Sequence, residues 1–321
     1  MRVLITGANG FLGRQLAREV LNTGTLRGRA VERLLLLDTR FDELPHDPRV
    51  RAHPGSITDA ALLRRVLADG VEVVFHLVSV PGGAAEQNYA LGLHVNLLAG
   101  LELLDQLRNP VRPPVVVYAS SVAVYGANLP SRMNEDAVAC PQSSYAAHNL
   151  MMETALCDLA RRGEVDGRAL RLPGIVARPQ GSNGLRTAFM SDVLHACAAG
   201  QNYICPVSPQ AKAWWMSAPC AVANLLHAAQ LSDLPWNTKR VWQLPVLQLS
   251  MAQVLDALAG RFGESCRELI SFAPDPHLQA LFGALPAMKT PRSKAAGFCH
   301  DGSAASLVRK ALNLPAARKH L

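Results

Sequence analysis

Gly7-Ala8-Asn9-Gly10-Phe11-Leu12-Gly13 is the stretch on which the reading of this chain turns. The three glycines are spaced G-x-x-G-x-x-G. Before them lies a short apolar run, Arg2-Val3-Leu4-Ile5-Thr6, that predicts a strand. After them Phe11, Leu12, Leu16, Ala17, Val20 and Leu21 recur at helical spacing, which predicts a helix with one buried face. A strand that passes into a helix through such a loop must turn sharply. Glycines allow the turn, let the backbone approach a ligand, and let the helix pack close to the strand. The helix start then offers backbone N–H groups and the positive end of its dipole, an arrangement suited to phosphates.

Working outward, Leu34 to Leu37 form a second wholly apolar strand that ends at Asp38. A carboxylate there can accept both hydroxyls of an adenosine ribose and repels a 2′-phosphate, which favours NAD over NADP. Arg40, two residues on, keeps NADP open as an alternative. Ser56-Ile57 follow the next strand candidate, at the place for an adenine contact. Leu77-Val78-Ser79 end a strand over 71–78 and should lie under the cofactor, with Ser79 also within reach of a substrate. Helical patterns cover 58–68, 87–107 and 144–162. Further strands cover 115–118, running on to Ser120-Ser121, and 168–172. The alternation predicts an α/β fold with a doubly wound parallel sheet. Beyond Pro173 the pattern is irregular, with helices near 184–199, 219–231 and 251–262. Ser250 and Gln253 make a capping-box signature for the last of these. The expected division is a cofactor domain over 1–173 and a smaller mixed C-terminal substrate lobe over 174–321, some segments of which return to the core.

The composition agrees with this class. The chain has 321 residues, 49% hydrophobic and only 5% aromatic, enough for a large core of aliphatic strands and helices. Its net charge of +7 is scattered through isolated pairs such as Arg64-Arg65 and Arg161-Arg162. That points to a basic surface tolerant of a small anionic substrate and away from nucleic acid. Seven dispersed cysteines without a C-x-x-C pair read as reduced thiols, and no metal site is expected. The first strand begins at residue 2, which leaves no room for a signal peptide, and no apolar run matches a membrane span. The expectation is a cytoplasmic protein with no membrane contact.

These segments resemble the extended short-chain dehydrogenase/reductase family, and within it the D-erythronate dehydrogenase group. The likeness is carried by Thr6–Gly13, Phe75–Leu77, Val95-Asn96-Leu97, Ser120–Gly126, Ser144-Tyr145 and Asp166–Pro173. It continues through Pro274–Pro276 and Lys294–Phe298. The resemblance implies a Rossmann fold, NAD as cofactor, and hydride transfer between nicotinamide C4 and a hydroxyl-bearing carbon. It implies that Tyr145 exchanges the substrate proton and that Ser121 holds the substrate oxygen, with Ser120 lining the nicotinamide end. It further implies that Asn96 maintains the proton path or helix geometry, and that Pro173, with Ile175 beyond it, backs the nicotinamide ring. Helices over 87–107 and 144–162 would pair across a homodimer interface.

One position departs from the pattern. The family has Y-x-x-x-K, whereas this chain reads Tyr145-Ala146-Ala147-His148-Asn149. Asn149 shares a helix face with Tyr145 and can meet ribose hydroxyls, but it brings no charge. A free tyrosine titrates near 10, and losing a cation that lowers it by about two to three units slows general-base catalysis at neutral pH by about two to three powers of ten. His148, on a neighbouring part of the helix, is either a partly exposed surface histidine or a stand-in proton relay.

For substrate, Arg178, Asn183 and Arg186 follow Pro173 and could grip a carboxylate. Gly174 replaces a hydroxyl residue common in related chains, and Trp214-Trp215 read mainly as core. Three functions remain open. The first is an NAD-dependent oxidoreductase acting on a small D-erythronate-like sugar acid. The second is a nucleotide-sugar epimerase or dehydratase. The third is an NAD-binding protein with weak or no catalysis because of Asn149.

Overall fold

The computed structural model describes residues 1–181, 186–232 and 239–314. Its chain divides into two compact units. The first comprises 1–126, 138–172 and 222–243. The second comprises 127–137, 173–221 and 244–321, so one short segment before residue 173 belongs to it and one later segment belongs to the first.

The first unit is built on seven parallel strands: β1 (Arg2–Thr6), β2 (Arg33–Asp38), β3 (Val50–Pro54), β4 (Val73–His76), β5 (Val115–Ser121), β6 (Asp166–Leu172) and β7 (Val241–Gln243). They lie side by side in the order β7-β6-β5-β4-β1-β2-β3. That is the doubly wound Rossmann order expected from the alternating pattern, and its direction reverses between β1 and β4, where such sheets bind ligands. The central strands are apolar on both faces because helices cover both. Val3, Leu4, Ile5, Val73, Val74 and Phe75 are all fully buried.

The covering helices are α1 (Phe11–Thr23), α2 (Ala60–Leu67), α3 (the helical run over 89–107), α4 (Ser144–Arg161) and α5 (Ala218–Gln230). The long helix expected over 87–107 is interrupted. A separate helix, Gly82–Gln87, ends at Asn88, whose side chain then caps α3 by accepting from the N–H of Leu91. Within α3, His94–Leu98 form a π turn. Strand β3 at the sheet edge is the element that the pattern left least defined. Its sequence, Val50-Arg51-Ala52-His53-Pro54, keeps Arg51 in solvent as an edge strand can.

The second unit contains a mixed three-stranded sheet. Gly174–Val176 runs parallel to Lys212–Ser217, which pairs antiparallel with Leu247–Ser250. Helices Phe189–Ala199, Met251–Phe262 and Ala304–Ala311 pack around a core that includes Leu194, Trp215, Leu258 and Leu307. Trp214 and Trp215 are both buried and donate to backbone oxygens, Trp214 to Pro286 and Trp215 to Leu249, which is the core role. The capping box of Ser250 and Gln253 forms in both directions.

Candidate active site

All the site elements of the first unit gather at the C-terminal ends of its strands. The glycine loop leaves β1. Gly7 has φ +71°, and a Cβ added there would come within 2.8 Å of the Val78 nitrogen. A Cβ at Gly13 would lie 2.2 Å from the Gly7 carbonyl oxygen, so only glycine lets α1 approach its strand this closely. No side chain caps α1 at Gly10. A helix start of this kind suits a pyrophosphate. Phe11 and Leu12 open that turn, both half-buried.

Asp38 ends β2 beside this loop. Its Oδ2 accepts from the Asn9 backbone at 2.8 Å and its Oδ1 from the Thr39 backbone at 2.7 Å. Around it, Asp42 exchanges hydrogen bonds with Asn9 and lies 3.5 Å from Arg14 and 3.7 Å from Arg40. Arg40 thus faces an acid of its own, in the position where a 2′-phosphate would need a free cation. A loop whose glycines leave no room for a Cβ, a helix start without a side-chain cap and a carboxylate at the second strand end together fit a dinucleotide without a 2′-phosphate.

The remaining cofactor candidates are distributed as follows. Ser56 is tied locally to Thr58, Oγ to Oγ1 at 2.8 Å, and Ile57 beside it is buried. Leu77 and Val78 continue from β4, while Ser79 is exposed and donates to its neighbour's carbonyl, that of Val80. Asn96, buried in the π turn, clamps that loop. Its Oδ1 accepts from the Val80 N–H at 2.6 Å and its Nδ2 donates to the Val80 carbonyl at 3.0 Å. The asparagine thus fixes the backbone leading out of β4.

Ser121 ends β5 with its Oγ accepting from the Ala123 N–H at 3.1 Å, half-buried. Tyr145 lies in the first turn of α4, also half-buried, with Gly82 against its ring: a Cβ there would meet Tyr145 carbons at 3.6 Å. Glu86 accepts from the Ser144 N–H at 3.0 Å, placing a carboxylate at the start of α4, where the helix dipole favours it.

Two expectations, on His148 and Ser120, need correction. Asn149 is 3% exposed, and both ends of its amide are engaged by the protein. Nδ2 donates to the Tyr145 carbonyl at 2.8 Å and Oδ1 accepts from the Tyr118 hydroxyl at 2.9 Å. His148 is no surface residue. It is 1% exposed, packs at a tilt against Tyr89, and burial holds its pKa below the ordinary value despite Glu86 nearby. Its Nδ1 has no hydrogen-bond partner among the described residues. Ser120 points away from the Ser121 face. Alternation along β5 turns Ser120 and Tyr118 toward α4, where Ser120 donates to buried Glu153. Glu153 also takes Arg171 through Nε at 2.9 Å and Nη2 at 2.7 Å, and the Arg171 guanidinium stands 4.8 Å over the Tyr125 ring.

Tyr118, Glu153 and Arg171 are therefore site-supporting residues that the motifs did not single out. The available signal was a glutamate eight residues after Tyr145, on the same helix face and among apolar residues. Tyr118 cannot take the place of Tyr145. It is buried, its proton is committed to Asn149, and burial, followed by the charges of Tyr145 and Glu153, raises its pKa well above that of an ordinary phenol.

In the second unit, Pro173 and Ile175 are buried, and Gly174 has no room for a side chain: a Cβ would lie 2.9 Å from the Trp214 carbonyl oxygen. The backbone of Arg178 is held by Ser191 Oγ at 3.0 Å and His195 Nε2 at 2.6 Å. Arg186 is exposed, and Asn183 lies outside the described residues. No described helix is long and apolar enough to cross a membrane.

A parallel sheet in this order, with a glycine cradle after β1, an acid after β2, and a serine and tyrosine on β5 and α4, defines a nicotinamide-dinucleotide enzyme of the Rossmann class. More narrowly, the chain belongs to the NAD dependent epimerase/dehydratase family, whose model matches residues 3–232. It is 38% identical over 314 residues to D-erythronate dehydrogenase of Cupriavidus necator, covering 96% of this chain and 97% of that one. It is 30% identical to D-erythronate dehydrogenase of Haemophilus influenzae, over 97% and 98% of the two chains. Among solved structures it resembles a nucleoside-diphosphate-sugar epimerase from Agrobacterium tumefaciens, with TM-score 0.90 and 29% identity over 96% of this chain and 92% of that one.

Proposed function

We propose that this protein is an NAD-dependent dehydrogenase that oxidises a hydroxyl-bearing carbon of a small sugar acid of the D-erythronate type. The observation that carries this reading is the 38% identity to a D-erythronate dehydrogenase along nearly the whole of both chains. In the proposed reaction a hydride leaves the carbinol carbon for nicotinamide C4. Ser121 holds the substrate oxygen and Tyr145 accepts its proton. Asp38 and the glycine loop hold the adenosine ribose and the pyrophosphate. Asn96 and Val80 shape the loop beneath the nicotinamide, and Arg178 or Arg186 is offered as the partner of the substrate carboxylate.

A weaker second reading has its own observation. The site carries no cation at position 149, so an NAD-binding protein with slow chemistry is the alternative. The deciding experiment follows NADH absorbance with NAD and a panel of four- to six-carbon sugar acids. Turnover with D-erythronate supports the first reading. Tight NADH binding without turnover on any of them supports the second. Cofactor that copurifies with the protein and turns over nucleotide sugars would replace both with an epimerase.

The chain is further proposed to form a homodimer. Tyr89, Leu91 and Leu98 on α3 and Met151 on α4 are 58%, 46%, 43% and 45% exposed, an apolar set on the two helices expected at the interface. A monomer in light scattering at micromolar concentration would refute it.

A further inference from the structure

Tyr145 and Tyr118 are joined through one side chain. The Tyr145 carbonyl can only accept, so the amide end of Asn149 that lies 2.8 Å from it must be the nitrogen. Oδ1 therefore faces Tyr118, whose hydroxyl must donate to it, at 2.9 Å. Behind this contact the Tyr118 ring stacks on buried His76, with centroids 5.5 Å apart and planes 25° from parallel, and His76 Nδ1 pairs with Thr6 Oγ1 at 2.8 Å. The array runs from the strand that carries the glycine loop to the helix that carries Tyr145, and every member of it is uncharged.

We infer that Tyr118 is a positioning residue for the dinucleotide site: with Asn149 it forms a neutral bridge that holds the Tyr145 turn of α4 against β5, in place of the lysine of Y-x-x-x-K. This rests on the NAD-binding part of the proposed function and not on the choice of substrate. The Tyr145 carbonyl sets the sense of the Asn149 amide, and the Tyr118 hydroxyl holds its oxygen end in place. One amide hydrogen of Asn149 is spent on that carbonyl. The other is the only donor that position 149 retains for a ribose hydroxyl, and its direction depends on Tyr118. Asn149→Lys reverses the contact, because an ammonium group only donates and Tyr118 must then turn to accept. The two positions are thus expected to change together.

The test is a double-mutant cycle read in NADH affinity by fluorescence titration, on wild type, Tyr118→Phe, Asn149→Ala and the double variant. The expected result is that each single change weakens NADH binding about five- to tenfold and the double variant binds no worse than Asn149→Ala, as for one shared interaction. Losses that multiply in the double variant would overturn the bridge. Leu156→Ala serves as the structural control, since Leu156 is a fully buried core residue of the same helix. It should lower the melting temperature and leave NADH affinity unchanged. If it weakens NADH binding as much as Tyr118→Phe at a matched loss of melting temperature, the role of Tyr118 is packing alone and the inference falls. Because the readout is affinity, the cycle decides the bridge even where no sugar acid is oxidised.

Discussion

Asp38 accepts the backbone N–H of Asn9 at 2.8 Å, so the acid that ends β2 braces the glycine loop that leaves β1. One carboxylate thereby links the two halves of the candidate adenosine site. It orders the loop and sets there a negative charge that repels a 2′-phosphate.

The first prediction concerns cofactor choice. A hydrogen bond to a charged group contributes roughly 1.5–3 kcal/mol. Asp38→Ser should therefore weaken NADH about tenfold or more and narrow the gap to NADPH, because it removes the carboxylate that repels a 2′-phosphate and leaves Arg14 and Arg40 in place beside Asp42. Parallel NADH and NADPH fluorescence titrations measure this. An unchanged ratio of the two affinities would remove Asp38 as the selector.

Glu153 is the second. It is buried between Ser120 and Arg171, which sit opposite each other in the register of β5 and β6. Burial pulls the Arg171 pKa down, and the hydrogen bond and charge of Glu153 reverse the shift and leave it raised. Glu153→Ala strands a guanidinium in the core, and breaking such a pair costs about 3–5 kcal/mol. Urea unfolding should show that loss, with Glu153→Gln in between because it keeps an acceptor for Ser120.

The third prediction is a pH dependence of stability. His76 is fully buried, and burial lowers its pKa from 6.5 to about 4. The unfolded chain therefore binds a proton below 6.5 that the native chain refuses until about 4. The stability contributed is complete above the unfolded value and is lost as pH falls through that window. With ~1.4 kcal/mol per unit, the loss is about 3 kcal/mol. His148 and His53 are shifted in the same direction by burial and add to it. Urea midpoints taken across this window should fall with acid, and His76→Gln should flatten much of the slope. A His76→Gln profile parallel to wild type would refute the assignment.

The parts of this protein that could be read from the sequence are those set by single residues in local patterns. The glycine loop, the acid after β2, the apolar strands and the Ser121–Tyr145 spacing each state their need within a few residues. What escaped reading depends on partners far along the chain. Asn149 reads as an uncharged residue in the place of a lysine, free to meet a ribose, until Tyr118, 31 positions earlier, is seen to take its oxygen. His148 reads as surface because nothing local tells of the Tyr89 ring packed against it. The break at Asn88 and the π turn around Asn96 are invisible to a 3.6-residue period, since the apolar spacing continues across both. The edge strand β3 lacks a periodic signal because one of its sides has no neighbour to bury against.

The last prediction sets two glycines against each other. Gly13 sits where an added Cβ would lie 2.2 Å from the Gly7 carbonyl oxygen and 2.8 Å from Ala8 Cα, both backbone atoms that cannot move without shifting the loop. Gly260 lies within the helix Met251–Phe262, with nothing among the described residues within 4 Å of the corresponding position. The same substitution should therefore act in opposite directions. Gly260→Ala removes backbone entropy from the unfolded chain and adds helix propensity, and should stabilise by about 0.5–1 kcal/mol. Gly13→Ala forces α1 away from β1, and overpacking of this kind costs about 1–3 kcal/mol. It should also weaken NADH binding, because the displaced helix start is the candidate pyrophosphate site. Melting temperatures of the two variants, with NADH titration of each, check the pair. Gly260→Ala should leave affinity unchanged, and a Gly13→Ala variant that binds NADH as wild type does would show that the close approach of α1 to β1 serves packing and not the cofactor.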